Sequence, residues 1–324
     1  MRSRGLPHEA VRAGSGDVLT RSVTPDGVRA RASCWWLVLL GAASVVPAFH
    51  CANAGSPIAP GELDAGLLPP DSGSGDEGGA FNNTSGPIPD DVECAETTKQ
   101  IYVLATDKAL YRFYPDKVQF VRVGQVACPT SAGTFSMAID RHGTAWVEYT
   151  DGRVFAVDTA DATCKTTPFM PGQTGFETFG MGYSLNGDSA DGETLYVAGA
   201  GLAALDTKTF ELSYKGSLTY GRTELTGQDK KLFAFSVESG VIAGLDKDTG
   251  ATQVVYRTSA VNEQAAFAFA QWGGDFWVFT GNDHSIVTQY SPADDTSTVV
   301  MQDTGMLIVG AGSSTCAPSV KPPK

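Results

Sequence analysis

Ile101-Tyr102-Val103, Ala145-Trp146-Val147, Leu195-Tyr196-Val197, Leu232-Phe233-Ala234 and Phe276-Trp277-Val278 are five copies of one short pattern: an apolar residue, an aromatic, then Val or Ala. Six to nine residues after each aromatic stands an apolar residue, and four further on an Asp or Tyr: Leu110/Tyr114, Val154/Asp158, Leu202/Asp206, Ile242/Asp246 and Ile286/Tyr290. A constant offset in all five copies marks a repeat. Self-similarity at roughly 40 to 45 residues, with four short strands per unit, is the signature of a β-propeller blade.

Working outward, each aromatic strand of copies two to five follows a tight turn: Arg141-His142-Gly143, Asp191-Gly192-Glu193, Gln228-Asp229-Lys230 and Gly273-Gly274-Asp275. These are hairpin residues. Ahead of them lie stretches of small and apolar residues that read as innermost strands, from Phe135 to Asp140, Phe179 to Leu185, Thr223 to Gly227 and Ala265 to Gln271. Copy one lacks such a partner, and the segment from Gly305 to Gly312 near the C-terminus supplies it. A tail strand that completes the head blade leaves no sheet edge exposed. The reading is an all-β, five-bladed β-propeller of four-stranded antiparallel blades, closed by the C-terminal strand. In Phe276-Trp277-Val278-Phe279 successive side chains point to opposite faces, yet all are apolar. Both faces of a blade should therefore be buried against neighbours, and the aromatic stripe Tyr102, Trp146, Tyr196, Phe233 and Trp277 should be core.

Residues 1–54 hold six Arg, no Lys and three acids, and end in an apolar run from Trp35 to Phe49 followed by Ala52-Asn53-Ala54. That pattern is a secretory signal peptide with cleavage after Ala54, and translation beginning downstream, for instance at Val28, would account for its length. A second reading makes Cys51 a lipidated N-terminus that tethers the protein to a membrane. Residues 55–93 are rich in Gly, Pro, Ser and Asp with almost nothing to bury, and read as a disordered acidic linker. The propeller then spans 94–318, with 319–324 as a disordered tail. Beyond residue 54 there are 17 basic and 33 acidic side chains, a net charge of −16. Such a surface repels phosphate backbones, so nucleic acid is excluded as a partner, and it suits a soluble exported monomer, extracellular, periplasmic or tethered at an outer membrane. Membrane association would depend on Cys51.

Four cysteines remain after processing: Cys94, Cys128, Cys164 and Cys316. An even number in an exported chain points to two disulfides, with three pairings open. Cys94 precedes the first strand of the repeats and Cys316 follows the last, so a bond between them would lock the ring. Cys128 with Cys164 follows by elimination, although Cys164 should begin an outer strand at the face opposite Cys128.

Chemistry is sparse. There is no G-x-S-x-G, no H-E-x-x-H and no Cys pair at zinc spacing. The glycines at Gly199, Gly201, Gly310 and Gly312 imitate a dinucleotide fingerprint but lack the helix it requires, and are hairpin glycines. Several polar residues should gather on the face where loops enter the inner strands: Asp107, Asp151, Asp283 and His284 as ligand-binding candidates, with Glu177, Glu263 and Asp303 beside them. Glu224 lies within an inner strand and can point into the central channel. With Glu177 or Glu263 it forms the carboxylate pair that glycoside hydrolysis needs. Asp188, Asp191 and Glu193 belong to an oxygen-rich run that resembles a calcium loop, with Asp191 one position late for EF-hand spacing. Calcium is thus the one ion to test, and no organic cofactor is expected.

Leu245-Asp246-Lys247-Asp248-Thr249-Gly250, with weaker versions at Leu205-Asp206-Thr207-Lys208-Thr209 and Val157-Asp158-Thr159, resembles the blade corner of quinoprotein-like and YVTN-type propeller repeats. Residues 94–318 as a whole are similar to a family of exported bacterial β-propeller proteins and lipoprotein candidates with no assigned activity. The repeat, the linker and the missing nucleophile constellation point to a non-enzymatic propeller that presents its loops to a protein or glycan ligand. The resemblance adds no function of its own. It brings no catalytic residues, and the interlocking Trp of quinone-dependent propellers is missing here. The alternative is a glycoside hydrolase-like enzyme with its carboxylates at the channel mouth.

Overall fold

In the computed structural model, residues 94, 96–187, 192–260 and 266–323 are described. Among the described residues, twenty strands form five separate four-stranded antiparallel sheets. Blade one takes its innermost strand from the C-terminus: β20 (Ile308–Ser313) pairs with β1 (Ile101–Ala105), then β2 (Ala109–Tyr114) and β3 (Gln119–Gln125). Blade two is β4 (Thr134–Ile139), β5 (Thr144–Tyr149), β6 (Val154–Asp158) and β7 (Cys164–Thr166). Blade three is β8 (Gly180–Leu185), β9 (Glu193–Ala198), β10 (Leu202–Leu205) and β11 (Leu212–Gly216). Blade four is β12 (Thr223–Gln228), β13 (Lys231–Ser236), β14 (Val241–Leu245) and β15 (Thr252–Arg257). Blade five is β16 (Ala266–Trp272), β17 (Asp275–Gly281), β18 (Ser285–Ser291) and β19 (Thr296–Met301). The chain is therefore a five-bladed β-propeller, as its repeats require.

The period-two alternation of the second strands explains the ring. Tyr102 and Leu104 face blade two and pack with Met137, Ile139 and Val147, while Ile101 and Val103 face blade five and pack with Trp277 and Phe279. The same division sends Trp146 toward Leu195 and Val197, Tyr196 and Ala198 toward Leu232 and Ala234, and Phe233 and Phe235 toward Phe276 and Val278. Five apolar clusters fill five interfaces, and each fully buried Phe contributes about 1.5–3 kcal/mol of transfer free energy. The aromatic stripe is core.

At the hub the inner strands approach too closely for ordinary side chains. A Cβ on Gly180 would lie 2.1 Å from the Thr223 carbonyl oxygen, and one on Gly227 would lie 2.0 Å from that of Tyr183. Small residues there are a packing requirement between β8 and β12.

Closure uses three devices. β20 pairs along β1 from Ile101↔Ser313 to Ala105↔Ile308, the buried Ser314 hydroxyl donates to the Thr98 carbonyl, and Cys94 is bonded to Cys316. Beyond the disulfide the chain stays docked. Gly273 N–H donates to the Pro318 carbonyl and the Gln228 amide donates to the Ser319 carbonyl.

Cys128 is bonded to Cys164, the pairing that elimination gave, although the strand reading set the two on opposite faces. Blade twist is the reason. Gly124, at the end of outer strand β3, packs directly on Asp161 and Ala162 in the β6–β7 turn of the next blade. The connector that follows starts beside Cys164.

The repeat Asp also gains a physical role. Asp206 Oδ1 accepts the amides of Lys208 and Thr209, and Asp246 Oδ1 accepts those of Asp248 and Thr249. Each closes the hairpin turn after its strand, which fixes the four-residue offset.

Candidate functional site

A cavity of about 650 Å³ opens where loops lead into the five inner strands. Every blade contributes to its wall: Val309 from blade one, Thr134, Phe135 and Thr150 from blade two, Phe179 and Ala198 from blade three, Arg222 and Glu224 from blade four, and Phe267 from blade five. It is the mouth of the central channel. Two side chains of β12 plug that channel below. Glu224 reaches past blade three to accept a hydrogen bond from Ser136 Oγ of blade two at 2.9 Å, and the Met181 amide donates to the same oxygen at 3.3 Å. One layer down, Thr226 Oγ1 meets Ser313 Oγ of blade one at 3.3 Å and accepts the Gln271 amide of blade five at 3.1 Å. Alternate residues of one inner strand thus span the hub.

A second carboxyl lies beside this plug. Glu148 is the register partner of Ser136 across β4 and β5, and its Oε2 accepts the amide of the cavity-wall residue Phe179 at 3.0 Å. Glu148 Oε1 has no hydrogen-bond partner. Exposure is 0 % for Glu148 and 3 % for Glu224, so both acids sit in a water-poor floor. Burial drives the Glu224 carboxyl well above the ordinary glutamate range, against the opposing bonds from Ser136 and Met181. Burial likewise raises Glu148, with the Phe179 amide opposing and the nearby Glu224 and Asp151 adding to the rise. Both acids are neutral over much of the range below their raised values, and either can donate a proton or take up a counter-charge.

Glu148 was not legible as a site residue from loop positions, but it has a signal. The equivalent positions of the other blades hold Leu104, Ala198, Phe235 and Phe279, so this is the single acid in an otherwise apolar column. Arg222 stands at the rim with its guanidinium over the Phe267 ring, 5.2 Å from the centroid. It is not the partner of Glu224 in the floor.

The remaining candidates stay on the loops of their own blades. Asp107 accepts the Ala109 amide two residues on, and Asp151 pairs with Arg153 at 2.6 Å while accepting the Thr130 hydroxyl. Asp283 is exposed, and exposed His284 meets Asp303 at 2.9 Å. Glu177 is exposed with its carboxylate beside Gly172, apart from the cavity lining. Glu193 lies at the opposite end of the blade, where it accepts the Arg141 amide and the Thr315 hydroxyl. Cys51, Asp188, Asp191 and Glu263 lie outside the described residues. Among the described residues, no three His, Cys, Asp or Glu side chains gather as a metal site.

No family model and no curated protein matches this chain. Among solved structures, a chain from the crystal structure of the nidogen/laminin complex is similar over 67% of this chain and 86% of its own, at 11% identity and a TM-score of 0.42. A protein of unknown function from Bacteroides caccae is similar over 67% of this chain and 83% of its own, at 12% identity and a TM-score of 0.41. The five-bladed architecture stands on the strand pairing itself.

Proposed function

We propose that this protein is an exported, non-enzymatic binding propeller that takes a group of a protein partner into the cavity over its hub. The observation that carries this reading is the five-blade wall around an apolar cavity, open on the loop face and closed below by Glu224 and Thr226. Its volume falls in the range of sites that enclose a small ligand or a protruding side chain. Phe135, Phe179, Phe267 and Val309 suit an apolar stem better than a hydroxyl-rich sugar, which favours a protein over a glycan. Two disulfides support an oxidising compartment.

Photo-crosslinking tests the face. A benzophenone amino acid at Thr178 on the cavity wall should capture a partner in the producing cells, whereas one at exposed Lys208 on the opposite face should not. Equal capture from both positions, or capture from Lys208 alone, sinks the reading.

One observation favours the hydrolase alternative: Glu224 does share its floor with a second carboxyl. Against it, Glu177 is turned away, and the floor acids are held by a serine and backbone amides beneath the cavity. Turnover on a glycan panel that vanishes in Glu224→Gln would replace the binding reading with the enzymatic one.

A further inference from the structure

Glu148 is costly and the fold does not require an acid there. Four of the five blades place an apolar residue where blade two has Glu148, and those blades close equally well. Interior carboxyls ordinarily come with a cation or a full set of donors. Here the donors are one hydroxyl and two backbone amides shared between two acids, and Glu148 Oε1 has none. Among the described residues, no cationic side chain bears on either acid. Asp151 acts on Glu148 as a further negative charge, Arg153 is engaged with Asp151, and Arg222 sits at the rim over Phe267. Directly above Glu224 is a cavity whose walls include the phenyl rings of Phe135, Phe179 and Phe267.

We propose that the cavity receives an ammonium group on an apolar stem, with Glu224 as its direct partner and Glu148 as the neighbouring acid behind it. The inference rests on the cavity being the binding site and names the chemistry that site takes. The stem lies among the phenyl faces, of which Phe135 and Phe179 also attract a cation, and the ammonium supplies a counter-charge to the floor. The 25 acids against 17 bases from residue 94 onward draw such a ligand toward the domain. An arriving ammonium favours the ionised floor. Binding a cation should therefore release protons from the two carboxyls to solvent at a pH where the floor is still protonated.

Isothermal titration of the full domain at pH 7, in two buffers of different ionisation enthalpy, tests this with three probes. They are N-acetyl-lysine methylamide, its norleucine analogue as the uncharged counterpart, and benzylamine as a free amine. The proposal expects an amine to bind at least tenfold more tightly than the norleucine probe, with a net release of protons that the norleucine probe does not cause. It also expects at least a tenfold loss in Glu224→Gln, and a smaller loss in Glu148→Gln. Thermal unfolding confirms that both variants fold. A lysine probe that matches or exceeds benzylamine assigns the ammonium to a protein side chain; preference for benzylamine assigns it to a free amine. Norleucine binding as tight as lysine binding keeps the cavity as the site and overturns the ammonium. If no probe binds, the ammonium is overturned and the cavity is judged by crosslinking alone.

Discussion

Glu148 and Glu224 make the floor of the hub sensitive to pH in a direction opposite to most carboxylates. Burial raises both well above the ordinary glutamate value of about 4.3. Below that value both acids are protonated whether the chain is folded or not, and their contribution to stability is complete. As pH rises toward the folded values the unfolded chain ionises and the folded one does not, so stability falls by up to about 1.4 kcal/mol per pH unit for each acid. Surface acids behave in the reverse sense: Asp246, held low by the Thr249 hydroxyl and nearby amides, and Asp206, held low by the Lys208 and Thr209 amides, lose their contribution only as pH falls through their depressed values. Thermal unfolding from pH 5 to 8 should show a melting temperature that declines with pH in the wild type. Glu224→Gln keeps an acceptor for Ser136 and Met181 but cannot ionise, so its decline should be shallower, and Glu148→Gln should behave alike. Parallel pH profiles for all three proteins would show that neither acid is raised.

Between elements, the spacing of the inner strands is what the hub cannot relax. Gly180→Ala would drive a methyl into the Thr223 carbonyl and the Glu224 backbone, so β8 and β12 must separate. Overpacking of this kind costs about 1–3 kcal/mol, and backbone contact at 2.1 Å places this substitution at the upper end. Gly133→Ala is the matched control. Its Cβ would meet only the Thr150 side chain, at 3.6 Å, so the lost freedom of the unfolded chain should leave it neutral or stabilised by up to about 1 kcal/mol. Urea unfolding of both variants measures the contrast, and equal stability would mean that the hub is loose. The same elements show what could be read beforehand. Strand identity, blade count and the swapped β20 were legible because the aromatic triplets, the Asp turns and the missing fifth inner strand are all local patterns. Of the cavity floor only Glu224 was, from its place within an inner strand. Glu148 acquires its meaning only when β4, β5 and β8 are brought together, and the loop acids Asp107, Asp151 and Asp283 bind their own turns or face solvent instead of the channel. Cys128 and Cys164 appeared mismatched for a similar reason, since untwisted strands would keep their ends apart.

For the whole molecule, ring closure is the step on which every interface depends, because each blade buries both faces only if the fifth meets the first. Removing residues 306–324 deletes β20, bares the edge of β1 and opens the apolar surface of Ile101, Val103, Trp277 and Phe279. An unpaired edge beside an exposed core promotes pairing with other chains, so the truncated protein should elute from a sizing column as oligomer or aggregate. A folded monomer would show that four and three-quarter blades suffice. The two disulfides should then differ in what they contribute. Cys94–Cys316 spans 222 residues and Cys128–Cys164 spans 36. If constraint of the unfolded chain dominates, their removal costs about 5 and about 4 kcal/mol respectively. Paired serine substitutions, compared by urea unfolding, should rank the ring-closing bond as the larger loss. The reverse ranking would place the weight on the local junction of blades one and two, where Gly124 packs on Ala162, and would make that junction the element that holds the ring.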